Sequence, residues 1–160
     1  MITVSHASVQ DSWNDLYNST EEHAQQLVEE FAREQPNLCA FLTEHEEMIS
    51  ALADRGFLLL YGVWAWRAFQ MEGRDDATVS RIAINAAYER NQESAGMMGA
   101  SNKALLDSAK EFTRSYRHFP IFGAIMNDIF EGQLDSEHMN DDISGMMLLV
   151  VKAVIDVLDV

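Results

Sequence analysis

The chain has 160 residues, 48% of them hydrophobic, and a formal net charge of −15. That length and apolar content suit one domain with a single core. The charge repels phosphate backbones and anionic headgroups, which argues against direct nucleic-acid binding and docking to anionic lipid. Only two prolines and eight glycines interrupt the chain, and Ala, Leu, Met, Glu and Gln are common, so long helices are expected in place of short strands. Cys39 is the single cysteine; it forms no disulfide within the chain and suits a reducing, cytoplasmic setting.

The acids are unevenly placed. Residues 15–50 hold nine acids and one base, residues 131–160 hold seven and one, and residues 51–130 hold nine of each. Residues 1–18 contain His6, Gln10, Asp11 and Asn14 and lack the basic start and apolar block of a secretory signal. The two most apolar runs, 56–69 and 145–158, are too short or too charged to span a bilayer, which takes roughly 20 apolar residues; Arg67 interrupts the first, and Lys152 and Asp156 the second. Both are expected to be buried helices.

In chain order, Val4, Val9, Trp13, Leu16 and Tyr17 give a first helix one apolar edge. Ser19 and Glu22 have capping-box spacing, and Ala24, Leu27, Val28 and Phe31 form the stripe of a second helix. Pro36 begins a third, with Leu38, Cys39, Phe41 and Leu42 inward. Thr43 and Glu46 repeat the capping-box spacing and predict a long helix to about Met71, with Gly56 at a close approach of another helix. Gly73 ends it. Asp75 or Asp76 is expected to cap a helix that places Val79, Ile82, Ala83 and Ala86 on one face.

Residues 94–102 read as a short flexible connection. Leu105, Ala109, Phe112 and Tyr116 then form an amphipathic helix whose polar side carries Lys110, Arg114 and Arg117. Pro120 starts an apolar helix through Ile121, Phe122, Ile125, Met126, Ile129 and Phe130 that ends near Gly132, and Asp135 or Ser136 caps the last helix. The expected fold is therefore all-α, a single-domain helical bundle of about seven or eight helices. Segments 19–72 and 101–160 repeat one order: an aromatic helix, a proline-started helix, an acidic start with histidine, an interior glycine and an apolar end. That order suggests two pseudo-symmetric halves around two buried long helices.

Catalytic motifs are missing from this pattern. There is no Gly-x-Ser-x-Gly elbow or dinucleotide fingerprint, and the Gly96 to Gly99 segment lacks the lysine and hydroxyl of a phosphate loop. Cys39, among Leu38, Ala40 and Phe41, reads as an inert thiol. Glu44 with His45 and Glu137 with His138 are the metal-ligating candidates, since carboxylate and imidazole suit zinc, iron or manganese. Adjacent residues diverge by about 100 degrees on a helix, unlike the Glu-x-x-His of helical di-iron proteins. No cofactor is therefore expected.

The leading reading is a non-catalytic, acidic protein-interaction module, of the inhibitor, antitoxin-like or adaptor kind. Its partner is a protein with a basic surface or a second copy of the chain, forming a homodimer. The contact residues expected are Glu46, Glu47, Asp141 and Asp142 for charge, Met97 and Met98 for adaptable packing, and Trp66 as an aromatic anchor. The alternative is a helical metalloprotein or small-molecule enzyme built on the Glu/His pairs.

Overall fold

The computed structural model describes residues 2–49, 56–97, 115–131 and 141–159. Among them are seven helices and no strand: α1 His6–Tyr17, α2 Glu21–Glu34, α3 Pro36–Glu46, α4 Phe57–Met71, α5 Arg81–Met97, α6 Phe119–Glu131 and α7 Asp141–Leu158. The expected all-helical bundle is what the chain forms. No helix of the described residues is long and apolar enough to cross a membrane.

The two apolar runs form α4 and α7, which pack against each other. α4 also meets α1, α2, α3 and α6, and α5 lies along α7. Its burial runs all round the axis, from Leu58 and Tyr61 through Val63, Trp64, Ala65 and Trp66 to Phe69, because neighbours cover every face. One approach is closer than any side chain allows. A Cβ on Gly62 would lie 2.3 Å from Leu42 Cδ1 and 3.6 Å from Phe31 Cζ, so glycine lets α3 and α2 pack directly on the α4 backbone. Gly56 has a different use from the close approach expected of it. It opens α4 with φ 98°, and nothing lies within 4 Å of where its Cβ would be. Gly145, its counterpart in the second apolar run, is buried inside α7.

Several helix boundaries differ from the sequence expectation, each for a local reason. Thr20, not Ser19, caps α2 by accepting the His23 N–H; the Ser19 hydroxyl donates back to Asp15 O. Thr43 sits inside α3, its hydroxyl donating to Cys39 O in the previous turn, so no long helix starts there. Ser80 accepts the Ala83 N–H at the start of α5, while Asp75 accepts the Ala77 N–H within the extended segment 74–80. With α5 rotated accordingly, Ile84, Ala87 and Asn91 face inward and Ile82 is 83% exposed. Residues 94–97 continue α5 instead of beginning a flexible connection.

The segment 74–80 is held by an amide that acts as a strand would. Gln35, fully buried, donates Nε2 to Ala77 O and accepts the Val79 N–H, each at 2.9 Å. Asn37 donates to Val79 O and the Thr78 hydroxyl to Glu34 O. The expected amphipathic helix through Leu105, Ala109 and Phe112, the helix end near Gly132 and the cap at Asp135 or Ser136 lie outside the described residues.

Candidate interaction surface

Most cations of the described residues are engaged by the chain itself. Arg67 Nε pairs with Asp15 at 2.8 Å, Arg81 with Glu44, Arg117 with Asp159, and Lys152 with Asp156 at 2.8 Å. Arg33 reaches Glu30 at 4.0 Å. Arg74 is 7% exposed and donates to the carbonyls of Leu158, Asp75 and Ala77; its burial pulls its pKa down. Asp11, Glu21, Glu22, Glu47, Glu89 and Glu93 are exposed.

One acidic grouping forms across the fold. Glu34, at the end of α2, is raised above its ordinary pKa by partial burial and then by the nearby charges of Asp76 and Glu30. Glu30 and Glu34 are one turn apart on α2, and segment 74–80 brings Asp76 beside them through the Gln35 and Thr78 contacts. The same-sign pair on α2 was visible in the sequence, but its third member was not.

The residues expected at a contact surface fall into different places. Glu47 is exposed. Glu46 is half-buried and serves α4: its Oε1 accepts the Leu59 N–H at 2.8 Å, satisfying a first-turn donor. Burial raises its pKa and the bonds from the Leu59 and Gly56 N–H groups work against that rise. Trp66 lies in the core with no exposure, edge-on to Phe31 at 5.5 Å. The chain's own packing thus takes up the side chain that was expected to anchor a partner. Asp141 and Asp142 open α7 and Met97 closes α5, but their side chains, like Met98, lie outside the described residues.

Of the four metal candidates, Glu44 and His45 are among the described residues. Glu44 is held below its ordinary pKa by the hydrogen bond from Arg81. His45 Nδ1 is 2.8 Å from Phe41 O, and its ring packs against Phe41 and Tyr88. Glu137 and His138 lie outside the described residues. Among the described residues no three His, Cys, Asp or Glu side chains are grouped to hold an ion.

Two further polar features were not anticipated. An open cleft of about 330 Å³ between α1 and α6 is lined by His6, Val9, Gln10, Phe119, Pro120 and Asn127, among others. It offers one imidazole and two amides but no carboxylate or thiol. At the end of α7, the Tyr116 hydroxyl donates to Asp156 Oδ1, and Lys152 bridges Asp156 Oδ2 to Asn91 Oδ1. Burial and the Asp156 charge push the Tyr116 pKa upward. Comparison of the chain with protein-family models, curated proteins and solved structures finds no match.

Proposed function

We propose that this chain is a non-catalytic, acidic interaction module of the inhibitor, antitoxin-like or adaptor kind that docks a basic protein surface. The observation that carries the reading is the excess of acids where α2 meets segment 74–80: Asp76 is exposed, the Asp76 and Glu30 charges raise the Glu34 pKa, and Arg33 offsets them only in part. A cationic side chain arriving there would add to the partial compensation that Arg33 already gives Glu30 and Glu34. Glu47 and the exposed acids of α2 extend the attraction and speed encounter more than they tighten the complex. A cytoplasmic setting goes with this reading, as does the unpaired thiol of Cys39.

The test is fluorescence anisotropy with a labelled arginine-rich peptide, comparing two triple variants of equal charge. Glu30→Gln, Glu34→Gln and Asp76→Asn together remove the crowded group; Asp11→Asn, Glu89→Gln and Glu93→Gln remove three acids elsewhere. The first set should weaken binding by about tenfold more than the second, with a shallower salt dependence. Equal losses would reduce the attraction to bulk charge and sink the reading.

A further inference from the structure

The corner at the end of α7 is held by charge, and its joint is incomplete. Arg117 Nη2 donates to Ile2 O at 3.1 Å and also to Asp159 Oδ2. His118, almost wholly buried, places Nε2 2.9 Å from the same oxygen and packs its ring on Phe69 and Tyr116. Segments 2–5 and 115–118, more than a hundred residues apart in the chain, thus meet through one guanidinium, which the Asp159 carboxylate also holds. Yet Arg117 Nε, both ring nitrogens of His118 and Asp159 Oδ1 are buried with no hydrogen-bond partner, so His118 meets Asp159 by proximity alone. Buried orphans cost free energy that hydration returns, which offsets part of the cost of uncovering Val4 and releasing Tyr116 from Asp156 as this corner opens.

We propose that Arg117, His118 and Asp159 form an ionic latch, through which segments 2–5 and 115–118 open and close as one unit while the core around α4 stays folded. The end of α7 stays in place because Leu158 is fully buried and its carbonyl accepts from Arg74 Nε at 2.8 Å. The moving part is the pair of segments laid against it. Ser5 and Phe119 are suitable reporters: the Ser5 N–H donates to Glu72 Oε1, and the Phe119 N–H to Tyr116 O.

Amide hydrogen exchange on the full chain tests the latch. In Asp159→Asn the Ser5 and Phe119 amides should exchange faster by a common factor of about ten, while the Gln35 and Leu60 amides, bonded to Phe31 O and Gly56 O, keep their rates. Acceleration of only one reporter would overturn the coupling. Equal acceleration of the Gln35 and Leu60 amides would make Asp159 a support of the whole fold and overturn the local latch. Should Asp159→Asn not fold, Arg117→Met decides: it keeps an apolar stem but removes the Nη2 that donates to both Ile2 O and Asp159 Oδ2, and a joint rise at both reporters supports the latch where unchanged rates overturn it.

Discussion

Helix α4 borders two interiors of opposite character. Towards α2 and α3 it presents Gly62 and Trp66 to Phe31 and Leu42, apolar or backbone but for the Trp66 indole N–H, and without exposure where the rings meet. At its far end Phe69 touches the His118 ring at 5.1 Å, and just past it Arg74 ties the chain to Leu158. The first interior is held by shape and the second by charge and hydrogen bonds. A shape-held contact fails when volume changes, whereas a charge-held one fails when a partner is removed. The comparison therefore predicts which substitutions hurt in each place.

The largest effect belongs to the dry side. Phe31→Ala should cost about 3–5 kcal/mol, because the ring fills space between Gly62 and Trp66 that helices cannot collapse to close. Gly62→Ala is the opposite lesion at the same spot. Alanine is worth about 1 kcal/mol over glycine inside a helix. The added methyl, however, meets Leu42, which is fully buried and has no solvent to swing into. Overpacking costs roughly 1–3 kcal/mol, so a net loss of about 1 kcal/mol is expected in urea unfolding. A Gly62→Ala chain more stable than the parent would show that α3 gives way, and the shape-held description of this side would fail.

The dry side is also where the sequence was most legible. Residues 57–69 announce a buried helix because a continuous apolar run needs no knowledge of its neighbours, and Pro36 marks the start of α3 by its own chemistry. Other features depend on partners far along the chain. Glu46 looks like a solvated acid until Leu59 arrives at its carboxylate, and Gln35 looks like a helix-end amide until segment 74–80 lies against it. Helical periodicity from Val79 puts Ile82 on the inner face, whereas the helix begins only at Arg81 and Ile82 is exposed. The candidate site was hardest to read. Asp76 joins Glu30 and Glu34 only through tertiary contacts, and Trp66 could not be told from an exposed anchor by its type.

A smaller effect separates two tryptophans on nearly opposite faces of α4. Trp64 Nε1 donates to Val9 O at 3.1 Å, while Trp66 Nε1 is buried without a partner. Trp64→Phe removes a hydrogen bond and should cost about 1 kcal/mol beyond the lost packing. Trp66→Phe removes an orphan donor along with its ring atoms, so the two terms oppose and the net change should be the smaller of the pair. Denaturant unfolding of both variants in parallel checks the ranking. The reverse order would mean that ring volume outweighs polar satisfaction even where the donor is bonded.

The smallest effect fades with pH over a different window for each of two carboxylates, and it bears on the surface instead of the interior. Burial works to raise the Asp15 pKa, but hydrogen bonds from Arg67 and His23 outweigh it and hold the carboxyl below 3.8. A folded pKa below the unfolded one stabilises at neutral pH, and that contribution is lost as pH falls through the folded value. Glu34 behaves oppositely: burial, Asp76 and Glu30 lift it above 4.5, so its charge opposes folding at neutral pH and the opposition fades as acid protonates it. Glu34→Gln should therefore be slightly more stable than the parent at pH 7, with the gap closing as pH is lowered towards 4.5. Asp15→Asn should be less stable at pH 7, with its gap closing only below 3.8. Urea unfolding at intervals between these limits separates the two windows. A Glu34→Gln gap that does not change with pH would mean the side chain acts by packing, and the crowded carboxylates would no longer argue for a waiting cationic partner.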